Sequence, residues 1–414
     1  MTSSDFPSSS HGPLHEALNA LMVQHVGRTF PSCALAVLHR GQVVVHQAWG
    51  ETEKQAATID TLFDMASITK LFTTTVFLQC VSQGRVGLDD PLYSVLPGFA
   101  LSGPRPIEGG QDPHTLVRQR VDPALQGQMV DPQQVTFRQL LTHTSGLAAW
   151  RDVFAVVGPV PNTPNIAPTI APQSHAPVQA QARWAQAMAA INQYPFIDQP
   201  GQRVVYSDIG FMLLGQAVQA LCGMPLDRAI QMYVLDPLGL KHTLFNPVQS
   251  GRVGVNQTAP TELDLRWRQR RVCGEVHDEN ACALGGVAGH AGLFATAMDV
   301  AQFGQAWLSA SVSLGLDANL AAQALSEQAV TDDVRRGLGF VLKSHHNASA
   351  GDVFGEDTFG HTGFTGTTLW VDPRRECVVA CLTNGVYLGR AAHAPHAFRR
   401  QLHDLLALSI APSQ

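Results

Sequence analysis

The chain has 414 residues, of which 45% are hydrophobic and 14% are charged, as is typical of a globular protein with a large core. This length allows two or three domains, or one large domain with two lobes. The formal net charge of -6 and the scarcity of clustered Lys and Arg argue against nucleic acid as a partner. The one short basic run, residues 266–271, is predicted to be a solvated face.

No stretch of the sequence predicts a membrane span or a disulfide framework. No apolar run approaches transmembrane length. Residues 1–12 form a polar, Ser- and Pro-rich tail that we expect to be flexible, and they lack the basic start and apolar core of a signal peptide. These features predict a cytoplasmic protein, or a periplasmic one if a leader has been removed. The seven cysteines include no Cys-x-x-Cys pair and are predicted to be small core residues.

The N-terminal part of the chain predicts a helix, a hairpin and a second helix. Residues 14–26 are amphipathic with a helical period. Residues 33–38 and 42–49 are two apolar, β-branched runs, and Gly41 between them can supply the positive φ of a tight hairpin turn. A buried helix is predicted to begin at Ser67 and to continue through an apolar run.

The middle of the chain is predicted to be mostly helical, with two irregular stretches. These stretches, rich in Gly, Pro, Gln or Ala, are residues 100–131 and an insertion at 157–178. Gly146 is predicted to end the first helix of this region, and Pro237 the last. The helices are predicted at residues 135–147, 180–192, 209–218 and 226–234.

The C-terminal part predicts a glycine-rich bend, two strands and a final helix. The bend covers residues 285–292, and the helix after it begins near Thr296. Residues 366–371 and 377–382 have the composition of strands. Residues 396–408 predict the last helix.

These elements predict an α+β fold in which an antiparallel sheet is assembled from both chain ends. Terminal helices would pack on the sheet, and a mainly helical lobe would be inserted between its two halves. We expect one domain over residues 13–414. Its α/β lobe would comprise about residues 13–65 and 290–414, its helical lobe would comprise about residues 66–289, and the site would lie between the lobes.

Ser67 and Lys70 suggest nucleophilic chemistry, because residues three apart on a helix share a face. A serine hydroxyl becomes a nucleophile when a neighbouring base takes its proton, and a desolvated lysine can serve as that base. The simpler alternative is that Ser67 only caps the helix, which is a common role for serine. The spacing alone does not decide between these readings.

Two further short motifs accompany the first. Tyr206-Ser207-Asp208 lies at a loop-to-helix junction, and His361-Thr362-Gly363 lies just before a strand. In order and spacing, the three motifs resemble the serine β-lactamase and penicillin-binding-protein superfamily, in particular its class C β-lactamase-like branch with D,D-peptidases and esterases. Supporting matches lie at residues 140–147, 237–240, 291–296, 371–373 and 382–384.

The resemblance implies the β-lactamase/D,D-peptidase-like fold and a set of catalytic roles. Ser67 would be the acylated nucleophile, and Lys70 its proton acceptor or electrostatic activator. Tyr206 would shuttle a proton once cationic neighbours stabilise its phenolate. The backbone N–H groups of Ser67 and Phe364 would form the oxyanion hole. The resemblance implies no cofactor.

Substrate contacts are implied for Asp208, His361, Thr362 and Gly363, and two of these depart from the β-lactamase pattern. Asp208 stands where β-lactamases carry Asn, and an ionised Asp only accepts hydrogen bonds. Its pairing with Lys70 would raise the lysine pKa. His361 stands where β-lactamases usually carry Lys, and a His is positive only below its pKa. Both changes favour a D,D-peptidase-like or esterase-like hydrolase.

Other histidines and carboxylates are weaker candidates. His277, Asp278 and Glu279 are adjacent and could suggest a metal site, but adjacent residues point in different directions, so no metal is expected. This stretch could equally line the cleft. His143 and His290 are predicted to be structural hydrogen-bonding residues at turns.

The sequence therefore predicts a serine hydrolase that acts through an acyl-enzyme on amide or ester bonds. Its substrate would be a small molecule or a peptidoglycan-type peptide or ester. The alternative is a penicillin-recognising binding or sensor protein that is acylated with little turnover. The sequence does not define the oligomeric state.

Overall fold

A computed structural model describes seven stretches of the chain. The predicted tail and most of the predicted insertion at 157–178 lie outside them. The described residues are 12–53, 55–112, 115, 117–158, 177–309, 314–390 and 395–412.

The strands are numbered in chain order. They are β1 (Ser32–His39), β2 (Gln42–Gly50), β3 (Phe63–Asp64), β4 (Arg105–Pro106), β5 (Met129–Val130), β6 (Leu244–Phe245), β7 (Leu263–Asp264), β8 (Arg270–Arg271), β9 (Leu293–Ala295), β10 (Ala329–Thr331), β11 (Val334–Arg336), β12 (Val341–Leu342), β13 (Phe359–Thr362), β14 (Thr368–Asp372) and β15 (Cys377–Thr383).

The helices are numbered in the same way, and a π-helical turn at Gln231–Leu235 joins the seventh to the eighth. They are α1 (Gly12–His25), α2 (Thr69–Ser82), α3 (Phe137–Leu141), α4 (Val153–Val156), α5 (Pro177–Ile191), α6 (Asp208–Cys222), α7 (Leu226–Ile230), α8 (Asp236–Leu238), α9 (Glu279–Ala283), α10 (Ala297–Leu308), α11 (Ala318–Ala324) and α12 (Pro395–Ser409).

The main sheet draws its strands from both ends of the chain, which confirms the predicted α+β architecture. Its eight strands lie in the order β10-β11-β12-β13-β14-β15-β1-β2, and each neighbouring pair is antiparallel. β15 pairs with β14 on one side and with β1 on the other. The β1–β2 hairpin turns at Arg40 and Gly41, both of which have positive φ, as a tight two-residue turn requires.

Helices cover both faces of this sheet. Leu18 and Met22 of α1 and Leu402 and Leu406 of α12 are buried together against one face. On the other face α10 approaches very closely at Gly304, where a Cβ would lie 2.7 Å from a side-chain carbon of β15. The helices α2 and α6 lie in the chain between the two halves of the sheet, and the first two motifs lie at the N-terminal ends of these helices.

Three local predictions differ from the structure. The helix predicted over 135–147 is confined to α3, because His143 adopts a positive φ of 60° and turns the chain. Pro237 does not end its helix but lies in the first turn of α8, which Gly239 terminates with positive φ. The basic run is not a solvated face, because Arg268 is buried and pairs with Asp264 at 3.2 Å.

The described helices are short relative to the thickness of a bilayer. No single one of them has the length and hydropathy to cross a bilayer. Residues Asp208–Cys222 and Leu226–Leu238 reach that threshold only as a pair bent by 74°.

Candidate active site

Ser67 lies in one turn of 3-10 helix directly before α2, which itself begins at Thr69. The preceding residue, Ala66, adopts a positive φ of 46°, a strained conformation for a residue with a side chain. Asp64 supports this turn, since its Oδ1 accepts the N–H of Ala66 at 2.8 Å. No side chain caps α2, so Ser67 does not serve as its N-cap.

Lys70 is completely buried beneath Ser67 and has three polar neighbours. Its Nζ donates to Ser67 Oγ at 2.9 Å and to the carbonyl oxygen of His290 at 3.2 Å. The same Nζ lies 2.7 Å from Asp208 Oδ1. An ammonium has three N–H donors, so these three acceptors match the charged form of the side chain.

The balance of charges agrees with this protonation state. Burial lowers the pKa of Lys70, but the carboxylate of Asp208 and the hydroxyl of Tyr206 raise it, and the net pKa lies above its ordinary value. For Tyr206, burial raises the pKa because it disfavours the charged phenolate, and the nearby Lys70 charge offsets only part of that effect. Lys70 is therefore an ammonium at neutral pH, and the expected phenolate of Tyr206 is not favoured at rest.

Asp208 is the first residue of α6, and the residue before it fixes the start of that helix. Ser207 Oγ accepts the N–H of Gly210 at 3.0 Å and donates to the carbonyl of Ala148 at 2.7 Å. The backbone N–H of Ser207 donates to Nδ1 of His143 at 3.0 Å. His143 therefore has the hydrogen-bonding role predicted for it, and it holds the second motif next to Lys70.

His361 lies at the third position of β13 and is neutral. Its Nδ1 lies 2.7 Å from the carbonyl oxygen of Thr362, which can only accept, so Nδ1 carries the proton. Burial, together with the charges of Lys70 and Arg336, lowers the pKa of His361 well below its ordinary value. His361 consequently does not replace the positive charge that a lysine would supply at this position.

The turn after β13 is fastened to the turn that carries Ser67. Thr365 Oγ1 donates to the carbonyl of Asp64 at 2.7 Å, and Thr367 Oγ1 donates to that of Met65 at 3.1 Å. A Cβ on Gly363 would lie 2.6 Å from the Met65 oxygen, so this close approach requires glycine. The two turns that would form the oxyanion hole are thereby kept in register.

Arg336 is a further charged residue beside the site, and no sequence motif indicates it. It ends β11 and pairs in register with Val341, which in turn pairs with Gly360, the residue before His361. The Arg336 side chain is 8% exposed and forms no ion pair with a carboxylate in the described part of the chain. Its guanidinium carbon lies 5.3 Å from the centroid of the Tyr206 ring. It therefore supplies the fixed positive charge that His361 lacks.

A cavity of about 470 Å³ brings these side chains together. Seven of the eight predicted site residues, all but the buried Lys70, line it: Ser67, Tyr206, Asp208, His361, Thr362, Gly363 and Phe364. Arg336, Arg390 and Arg399 also line it, and no local motif marks any of these three arginines as a site residue. The sequence left open whether the adjacent residues His277, Asp278 and Glu279 line the cleft. All three line the cavity.

The acidic and histidine residues of the cavity contact other protein side chains. The described residues contain no group of three His, Cys, Asp or Glu side chains placed to hold a metal ion. His290 instead contacts Asp278, with Nε2 at 2.9 Å from Oδ1. Glu279 pairs with Arg390, as does Glu262.

Comparisons with known proteins agree with this geometry. A family model described as Beta-lactamase matches residues 18–403. The chain is 31% identical to an Escherichia coli (strain K12) protein named "Putative D-alanyl-D-alanine carboxypeptidase", over 388 residues that cover 87% of this chain and 80% of that protein.

Two solved structures share the fold at 20% sequence identity. "EstCE1, a hydrolase with promiscuous acyltransferase activity" superposes with a TM-score of 0.67 and covers 95% of this chain and 98% of its own. The octameric penicillin-binding protein homologue from Pyrococcus abyssi superposes with a TM-score of 0.63 and covers 95% of this chain and 77% of its own.

Proposed function

Because the chain belongs to the beta-lactamase family and is a serine hydrolase, we propose that its substrate is a peptide with a free C-terminal carboxylate. The name D-alanyl-D-alanine carboxypeptidase, carried by its relative, describes such a substrate. The observation that carries the proposal is Arg336. A buried guanidinium without a carboxylate partner in the described chain is costly unless a ligand provides one.

Ser67 is the nucleophile of the proposed reaction, and the Lys70–Asp208 pair takes its proton. Lys70 passes one of its protons to Asp208, and the resulting amine accepts the proton of Ser67 as Oγ attacks the scissile carbonyl. The short Nζ–Oδ1 contact of 2.7 Å and the burial of Lys70 support this route. The pair carries no net charge before the transfer and one positive charge after it, which balances the developing oxyanion.

The remaining groups complete the acylation step. The backbone N–H groups of Ser67 and Phe364 stabilise the oxyanion. Tyr206 gives its hydroxyl proton to the leaving amine and regains one from the Lys70–Asp208 pair, which suits its raised pKa. Water then hydrolyses the acyl-enzyme and restores Ser67.

Three residues of the third motif contact the substrate in this proposal. Gly363 and Thr362 lie along the cavity beside Phe364, where the substrate backbone enters. His361 offers the lone pair of Nε2 to a donor, because its proton is on Nδ1. The carboxylate of the leaving residue binds Arg336.

The proposal is tested with a matched pair of peptides. Diacetyl-L-lysyl-D-alanyl-D-alanine is compared with the same peptide ending in an amide. We expect kcat/KM to favour the carboxylate by roughly tenfold to a hundredfold, the value of one charge-assisted contact. Arg336→Gln should abolish this preference. Arg335→Gln is the control, since Arg335 pairs with Glu327 at 2.6 Å and does not line the cavity.

An equal rate on the two peptides, or a preference that survives in Arg336→Gln, would contradict the assignment. The Lys70–Asp208 ion pair also favours a second candidate, a penicillin-recognising protein that is acylated but turns over slowly. That protein would form a lasting adduct on Ser67 and release almost no D-alanine from the carboxylate peptide.

A further inference from the structure

Asp278 and Arg336 line the same cavity and are connected to Lys70 through different neighbours. On one side, Lys70 Nζ donates to the carbonyl of His290, and the His290 side chain contacts Asp278. On the other side, Lys70 Nζ lies 4.8 Å from the ring centroid of Tyr206, and Arg336 lies beyond that ring. The acidic Asp278 is therefore linked to Lys70 through His290, and the basic Arg336 is linked to it through Tyr206.

One carboxylate oxygen of Asp278 is hydrogen-bonded within the described part of the protein, and the other is not. Oδ1 accepts the N–H of Ala281 at 2.7 Å and lies 2.9 Å from His290 Nε2. Oδ2 accepts no hydrogen bond from the described residues. The side chain is 21% exposed and lines the cavity, so this oxygen is open to a ligand.

The charge of Asp278 is not neutralised by a Lys or Arg in the described part of the chain. Its neighbour Glu279 differs in this respect, because Glu279 pairs with Arg390. Desolvation and the nearby Asp64 carboxyl raise the pKa of Asp278, but His290, the N–H of Ala281 and His277 outweigh them and hold this pKa well below its usual range. Asp278 is thus ionised at any working pH.

A second observation, at His290 beside Asp278, also indicates a missing ligand. His290 is 1% exposed, yet its Nδ1 has no hydrogen-bond partner among the described residues. Nε2 donates to Asp278, so Nδ1 is a buried polar atom left for a ligand to contact. The open Oδ2 of Asp278 is an acceptor that carries a negative charge, so the group that it binds is a donor and is most favourably a cation.

We propose that Asp278 binds an ammonium group on the acyl side of the substrate, so that the preferred substrate is a zwitterion. This inference rests on the proposed function, in which Arg336 holds the carboxylate of the leaving residue. With the carboxylate of the leaving residue at Arg336, Asp278 is left to bind a group of the acyl portion in the same cavity. The two side chains then match a peptide with a positive charge before the scissile bond and a negative charge after it.

The test compares L-lysyl-D-alanyl-D-alanine with its diacetylated form, which has no positive charge. For the unmodified protein we expect a ratio of kcat/KM of roughly tenfold or more in favour of the cationic peptide. Asp278→Asn should bring this ratio close to one, while Asn can still accept the bonds of Ala281 and His290. Glu279→Gln is the matched control and should preserve the ratio, because Arg390 already pairs with the Glu279 charge.

A ratio near one in the unmodified protein would overturn the inference. So would a ratio that survives in Asp278→Asn, or an equal loss on both peptides, which would indicate a structural role. If neither peptide is cleaved, the proposed function fails on its own. The same ratio is then measured from the inhibition constants of the two peptides against nitrophenyl acetate hydrolysis, so the inference is still decided.

Discussion

Asp208 raises the pKa of Lys70 and so keeps it protonated. A site with Asn at this position lacks that negative charge beside the lysine. An asparagine would leave the buried lysine without a negative partner, so desolvation would lower its pKa and a neutral amine could act as the base. With Asp208 at 2.7 Å the pKa is raised instead. Proton transfer in this chain therefore depends on the pair and not on Lys70 alone.

Asp208→Asn is expected to change the pH dependence of the reaction. The unmodified protein should keep kcat/KM nearly constant from neutral pH to about pH 9, because the Lys70 pKa lies above its ordinary value of 10.5 and the pair stays intact. In the variant the Lys70 pKa falls, and only its neutral form takes the proton of Ser67. Activity should then be lower at neutral pH and should rise with pH. A flat profile in the variant would show that Asp208 has no part in proton transfer.

The residues of the site differ in how far the sequence could predict them. Ser67, Lys70 and Tyr206 lie in motifs whose spacing is set by one helix turn or by a helix start, and the structure brings them together. Arg336 could not be found in this way, because it lies in a short strand without a motif. Its position follows from the pairing of β11 with β12 and of β12 with β13, which is a long-range property of the sheet.

Two turns from distant parts of the chain form the proposed oxyanion hole, and side-chain hydrogen bonds align them. Thr365 and Thr367 bind the carbonyls before Ser67, and Arg399 of α12 donates to the carbonyl of Gly363 at 3.1 Å. The last helix of the chain thus supports the active-site turn directly. The sequence predicted α12 as a helix but gave no sign of this contact, which depends on how the helix packs.

Gly363→Ala is expected to separate these turns. The added Cβ would lie 2.1 Å from Thr367 Oγ1 and 2.6 Å from the Met65 carbonyl oxygen, so the turn must move. We expect kcat to fall about a hundredfold or more, comparable to the loss of one oxyanion donor. Gly385→Ala is the control, since its Cβ would meet nothing closer than 3.4 Å. Equal kcat values in the two variants would contradict this role of the turn.

The prediction of helix ends also failed for a tertiary reason. The apolar pattern of residues 135–147 continues past Leu141, but His143 leaves the helical conformation with a positive φ. Its ring then accepts the N–H of Ser207. The end of this helix is therefore set by a contact with the second motif, about sixty residues away in the chain, and not by Gly146.

The whole molecule buries several histidines in the neutral form. Burial lowers the pKa of His277 and His403 to about 4, and those of His143 and His361 lie well below 6.5. The unfolded chain binds protons at these residues below its pKa of about 6.5, whereas the folded chain does not. Asp64 acts in the opposite direction, because burial raises its pKa to about 6. Because the four histidines outnumber Asp64, we expect mild acid to destabilise the folded protein.

The free energy of unfolding should accordingly fall as the pH is lowered from 6.5 toward 4. Each histidine contributes a slope of about 1.4 kcal/mol per pH unit in this window. His403→Asn should lower the slope by about 1.4 kcal/mol per pH unit, because the Asn amide nitrogen takes the place of Nδ1, which contacts two backbone carbonyls, and does not titrate. Urea unfolding at a series of pH values measures this. A variant curve that is shifted but parallel would contradict the assignment.

The architecture of the whole chain was predictable because strand patterns lie near both termini and helical patterns lie between them. The division into an α/β lobe over about 13–65 and 290–414 and a helical lobe over about 66–289 stays a prediction. The charges in the cavity were not predictable, because only the fold brings Asp278 and Arg336, which come from distant segments, into one cavity.

An acyl-enzyme at Ser67 is tested most directly by the mass of the intact protein after brief mixing with a slowly deacylating penicillin and quenching in acid. We predict one covalent adduct, located by peptide mapping on Ser67 and absent from Ser67→Ala. Thermal unfolding of the variant verifies that its fold is intact. An adduct on another residue, or hydrolysis of the carboxylate peptide that persists in Ser67→Ala, would contradict a mechanism through an acyl-enzyme at Ser67.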